Sequence, residues 1–114
     1  MSRRLVVKLA VDDCSAERLQ TGLSVAAAAV AGGVETSLWL AGEASRLAVA
    51  SHPIDAEVEQ LLAPVLDGGR VTVCARCASR RGITADHLRS GAIIAGAAAF
   101  VAEVTQPDAQ ALVY

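Results

Sequence analysis

Val71-Thr72-Val73-Cys74-Ala75-Arg76-Cys77-Ala78-Ser79-Arg80-Arg81-Gly82-Ile83 reads as a short buried strand, a turn and a new helix. A thiol at such a junction is held rigidly by its strand. It also meets the unpaired N–H groups and partial positive charge of a helix N-terminus. Arg76, Arg80 and Arg81 follow closely. All of these favour thiolate over thiol, and the thiolate is the nucleophile.

Outward from this stretch the chain alternates strand and helix patterns. Leu5 to Val11 is nearly continuous in apolar residues, as in a strand covered on both faces. Asp12-Asp13-Cys14 makes a loop, and Ser15 is a helix N-cap with Glu17 in the first turn. The helix runs to about Ala31, with Leu19, Leu23, Ala27 and Val30 on one face, and Gly32-Gly33 ends it. Val34 to Leu40 is a second strand, Ala41-Gly42-Glu43 a turn, and Ala44 to Val49 one or two helical turns. Asp55 or a neighbour starts a helix carrying Val58, Leu61, Leu62, Val65 and Leu66 at helical spacing. Pro64 must kink or end it, because proline has no N–H for residue 60. Arg70 to Val73 is the third strand. Thr84 caps a short helix through Arg89, 92–94 is a fourth strand, 96–104 a helix and 111–114 a last strand.

Such alternation predicts an α/β fold with a parallel sheet. Function then gathers beyond the carboxyl ends of the strands. Cys14 follows the first strand, Gly42-Glu43 the second and Cys74 the third, so a parallel sheet places all three on one rim.

Composition narrows the function classes. One domain, residues 1–114, is expected from the length. Hydrophobic residues make up 54% and charged residues 19%, which excludes a disordered chain. Aromatic residues are only 3%, so the core is built from Leu, Val, Ile and Ala. A net charge of -2 argues against nucleic acid as a partner. The longest uncharged run, Leu19 to Val34, falls short of a membrane span, and the start of the chain carries no signal-peptide pattern. A cytoplasmic protein with reduced cysteines is expected.

Val-Thr-Val-Cys-x-x-Cys-x-x-Arg-Arg-Gly-Ile, preceded by Asp67-Gly68-Gly69 and followed by Gly91-Ala92-Ile93-Ile94-Ala95-Gly96, resembles the DsrE/DsrF-like sulfur-relay family. The likeness extends to the strand-like start with Asp12-Asp13 and to the alanine-rich helix ending in Gly32-Gly33-Val34. It implies a three-layer α/β/α sandwich with a five-stranded, mostly parallel sheet, and assembly as a homo-oligomer, a trimer or hexamer. It also implies that Cys74 accepts sulfane sulfur as a persulfide from a donor protein and passes it to a partner thiol. Arg81-Gly82 matches the family's Arg-Gly. Cys77 stands where some sulfur-transferring relatives have a small apolar residue, and it could resolve a Cys74 persulfide into a disulfide. No metal or organic cofactor is implied.

The residues leave other readings open. Cys74 and Cys77 could be buried small apolar groups, or a redox dithiol, although the Cys-x-x-Cys here encloses Ala75-Arg76 and lacks proline. A structural zinc would have to draw on Cys14, His52 and His87 for further ligands. Arg76, Arg80, Arg81 and Arg89 form the one basic cluster, either a solvated face or support for an anion. Cys14 reads as a loop residue that could support the site. Trp39 is either core or an anchor between subunits. The function classes in play are a sulfur carrier, a thiol–disulfide oxidoreductase, and an oligomeric ligand- or protein-binding module whose cysteines are incidental.

Overall fold

The N-terminal apolar run forms β1 (Arg4–Leu9) in a computed structural model that describes residues 3–11 and 16–114. It is followed by α1 (Ala16–Ala31), β2 (Glu35–Leu40) and a 3-10 segment, Gly42–Ala48. Next come α2 (Ala56–Gly68), β3 (Arg70–Cys74), α3 (Ala75–Arg80) and a 3-10 turn at Ala85–His87. The chain closes with β4 (Ala92–Ala95), α4 (Ala97–Val104) and β5 (Ala109–Val113). Most expected elements are present with small shifts, but the helix expected from Thr84 through Arg89 is only the 3-10 turn at Ala85–His87, since Leu88 is already extended. β1 ends at Leu9 and not Val11, and β5 begins at Ala109 and not residue 111. The Ser15 cap and the Asp12-Asp13-Cys14 loop lie outside the described residues.

All five strands pair in parallel, in the order β4-β3-β2-β1-β5. Steps from β1 through β4 run one way across the sheet, so right-handed crossovers put α1 and α2 on one face, where they pack together. The return from β4 to the free edge of β1 runs the other way and carries α4 over the opposite face. Helices on both sides make three layers.

Alternation along the strands sorts the side chains. Val7, Leu9, Leu38, Leu40, Val71 and Val73, all fully buried, join Leu23, Val58, Leu62 and Val65 in the core beneath α1 and α2. Val6, Lys8, Ser37, Trp39 and Thr72 point the other way. Both sets are covered, which is why the strands read as nearly unbroken apolar runs. Trp39 is core: it is 3% exposed and meets the Phe100 ring of α4 edge-on, with centroids 5.2 Å apart.

Local chemistry fixes the joints. Asp55 caps α2 by accepting a hydrogen bond from the Val58 N–H at 2.8 Å. Pro64 does not end α2, which runs on to Gly68. Pro64 and Gln60 are both exposed, so water can satisfy the Gln60 carbonyl that proline leaves without a donor. Gly91 turns into β4 with φ 95°, and the Leu66 carbonyl oxygen lies 2.8 Å from where a Cβ would stand. Arg89 leaves the basic cluster and becomes a brace. Its guanidinium donates to the carbonyls of Leu47 and His52, each at 2.8 Å, and its own N–H donates to the Ala48 carbonyl at 2.7 Å.

A glycine in mid-helix costs about 1 kcal/mol relative to alanine. Gly22 sits in the middle of α1 because a Cβ there would collide with the buried Leu9 side chain and press on Tyr114. It sets the close seat of α1 on the carboxyl end of β1. Gly22→Ala should therefore lower stability by about 1–3 kcal/mol in urea unfolding, despite alanine's better helix propensity. An unchanged or raised midpoint would contradict this account.

Candidate functional site

No separate turn lies between β3 and α3. Cys74 is the last strand residue and also the N-cap, with φ -59° and ψ 124°, and Ala75 is already helical. One residue makes the change of direction, so the thiol is fixed by both elements. Cys74 is half-buried and pairs across the sheet edge with Ala95 of β4. Val71 and Val73 enter the core under α1 and α2, so Thr72 and Cys74 belong to the α4 side. On that side Lys8 pairs with Trp39, and Trp39 with Thr72. Cys74 stands one step further toward the carboxyl edge than this row.

Partial burial alone would push the Cys74 thiol up. It is outweighed by the backbone N–H of Cys77, the Cys77 thiol, the backbone N–H of Arg76 and the charge of Lys8. Together they hold Cys74 below the ordinary thiol range. The N–H contacts to sulfur are looser than a strong cap, since no side-chain hydrogen bond of normal geometry closes the α3 N-terminus. Sulfur is a weak acceptor, and here the amides act mainly through their dipoles. Cys77 is a free, half-buried thiol one helical turn beyond Cys74, which is also free.

The arginines take different parts. Arg81 is held in place: its Nε lies 3.1 Å from Glu43 Oε1, and its Nη1 donates to the Cys77 carbonyl at 3.2 Å. Glu43 also accepts from Arg46 Nε at 2.9 Å. Arg46 foremost, and then Arg81, keep the Glu43 carboxyl below its usual range against some desolvation. Glu43 thus ties the exit of β2 to the end of α3, which explains the Arg81-Gly82 pair as a brace under Cys77. The side chains of Arg76 and Arg80 are exposed, with no hydrogen bond or ion pair among the described residues. Arg76 serves Cys74 through its backbone.

Lys8 is the group that sequence reading missed. The signal was present: it is the chain's single lysine, and it interrupts an otherwise apolar strand. His87 Nδ1 accepts from the Thr84 N–H at 3.1 Å, and the His52 carbonyl holds Arg89. Neither histidine is among the groups acting on Cys74. Among the described residues no three His, Cys, Asp or Glu side chains are grouped to hold a metal ion. No helix among them is long and apolar enough to cross a membrane. Cys14 lies outside the described residues.

The profile of the DsrE/DsrF-like family matches residues 8–110. The fold is similar to that of the ychN protein from E. coli, with TM-score 0.83, 19% identity and 100% of both chains covered. It is also similar to MTH1491 from Methanobacterium thermoautotrophicum, a protein of unknown function, with TM-score 0.76 and 15% identity over 99% of this chain and 100% of the other. BT1422 from Bacteroides thetaiotaomicron, likewise of unknown function, gives TM-score 0.68 and 17% identity over 96% and 94% of the two chains. No curated protein sequence matches the chain.

The geometry sets the reactivity of Cys74. In alkylation followed by peptide mass spectrometry, Cys74 should react at lower pH than an unstructured peptide thiol, because a lowered pKa leaves more thiolate near neutrality. Cys77→Ala removes one of the groups that lower the Cys74 pKa, so the Cys74 profile should move to higher pH. A Cys74 profile matching that of an unstructured peptide thiol would refute this description of the site.

Proposed function

The chain belongs to the DsrE/DsrF-like family, which is associated with sulfur relay, and on that premise we propose that it is a sulfur carrier working through Cys74. The observation that carries the reading is the half-buried, free Cys74 thiol, biased toward thiolate at the carboxyl edge of a parallel sheet. The Cys74 thiolate attacks the outer sulfur of a donor persulfide. A bond from Cys74 Sγ to that sulfur forms, the donor's sulfur–sulfur bond breaks, and the donor leaves as a thiolate. In the second half, an acceptor thiolate attacks the terminal sulfur on Cys74 and the Cys74 thiolate is the leaving group. No net oxidation occurs in either transfer. A low leaving-group pKa speeds the second step, so the same groups that activate Cys74 also release it.

Incubation with a persulfide donor should add about 32 Da, one sulfur atom, to the intact protein. Cys74→Ser should abolish the adduct and Cys77→Ala should keep it. If no donor protein or small-molecule persulfide yields the adduct, the carrier reading fails.

One observation favours a second reading. The Cys77 thiol is itself among the groups that lower the Cys74 pKa, as expected of a resolving partner in a dithiol. A thiol–disulfide oxidoreductase would lose about 2 Da on oxidation, regain it on reduction, and lose all activity in Cys77→Ala. Retention of the sulfur adduct in that variant separates the two.

Two further parts of the proposal concern setting. A reducing, cytoplasmic environment suits the two free thiols. We propose assembly as a trimer or hexamer; association of copies, though not their number, is supported by large apolar side chains left exposed: Ile93 at 48%, Val101 at 55% and Val113 at 66%. Sedimentation should give a multiple of the 11.7 kDa chain mass, and a single-chain value would remove this part.

A further inference from the structure

The α4 side of the sheet gathers residues that occur once each in the chain. The single lysine lies with its Nζ 5.0 Å from the centroid of the single phenylalanine, Phe100, and that ring meets the single tryptophan, Trp39, at an interplanar angle of 82°. A cation over an aromatic face keeps its charge while losing water. The register then gives the ammonium its address. Lys8, Trp39 and Thr72 lie in one row across β1, β2 and β3, and Cys74 is the next residue on that side of β3.

The other charges described on this side are engaged elsewhere. Arg4 bridges to Glu35 at 2.6 Å. Arg70 Nη1 lies 4.0 Å from Glu103 Oε2. Glu103, on α4, also acts on Arg4 and so belongs with the amino ends of the strands. From α3, Cys74 is met by Cys77 and the backbone of Arg76, while Glu43, Arg46 and Arg81 close on one another at the rim. Lys8 has no carboxylate in ion-pair range among the described residues. Lys8 is half-buried, and an anionic sulfur on the same side of the sheet is a counter-charge for it.

We propose that Lys8 is a positioning residue for Cys74, a side-chain cation that supports anionic sulfur there, acting through its field across the sheet and not by contact. The inference rests on Cys74 being the reactive thiol and says how the anion, thiolate or persulfide, is sustained. The charge of Lys8 is among the groups that act on Cys74.

The test uses the full chain without any sulfur donor. Lys8→Met keeps length and apolar stem but removes the charge, and Lys8→Arg keeps the charge. Cys74 in Lys8→Met should alkylate roughly threefold more slowly near neutral pH, with its profile displaced upward, and Lys8→Arg should restore much of the rate. A folded Lys8→Met whose Cys74 profile overlays wild type overturns the proposal, as does Lys8→Arg behaving like Lys8→Met. Should Lys8→Met fail to fold, the wild-type protein still decides. Its lysine can be dimethylated with a carbon-13 label, which keeps the charge. The resonance should inflect at the Cys74 titration and lose that inflection in Cys74→Ser, and its absence in the wild type would refute the coupling. Neither readout involves sulfur transfer. A failure here leaves the adduct test standing, and a missing adduct leaves the Lys8 result standing.

Discussion

Five strands paired in parallel must each be returned over a face of the sheet, so their carboxyl ends are delivered to one edge. That single constraint brings together residues far apart in the chain. The exit of β2 presents Glu43, the exit of β3 presents Cys74, and the end of α3 presents Arg81. An antiparallel pair anywhere in this set would send one of them to the opposite edge. The close seat of α1 at Gly22 and the buried row from Val7 through Val71 keep the sheet in this register. The chemistry at the rim inherits its rigidity from them.

Much of the fold is legible in sequence because its signals are local. Unbroken apolar runs mark strands covered on both faces, Asp55 announces α2, and Gly32-Gly33 closes α1. The departures arise where tertiary surroundings override a local rule. Pro64 is tolerated because its side of α2 faces solvent, and sequence spacing alone does not say which side that will be. The position of Cys74 and Cys77 between a strand and a helix is equally legible. Their supporting charges are not. Arg81 beside Gly82 reads either as part of the basic cluster or as a structural tie, and only a carboxylate 38 residues away, which takes its guanidinium, decides for the tie. Lys8 looks like an oddity in an apolar strand until the register sets it two strands from β3. Proximity created by strand order has no signature within a window of neighbouring residues.

The two faces of the sheet have different physical characters. Under α1 and α2 the core is apolar and sealed. Under the short α4 the sheet carries polar and charged groups: Ser37, Thr72 and Glu103 are buried there beside Trp39, and Lys8 and Cys74 are half-buried. The thiol of the proposed carrier therefore stands on the polar layer, with the sealed apolar core on the other face of the sheet.

The position of Cys77 one turn beyond Cys74 has a kinetic corollary. On the carrier reading proposed above, the Cys77 thiolate competes with the acceptor: attack on Cys74 Sγ releases the outer sulfur as hydrosulfide and leaves the two cysteines joined. Arg81, held by Glu43, donates to the Cys77 carbonyl and fixes the backbone that carries this rival. The dwell time of the cargo is then a contest between delivery to a recipient and internal discharge, and the Arg81 tie, though it touches neither sulfur atom, bears on its outcome.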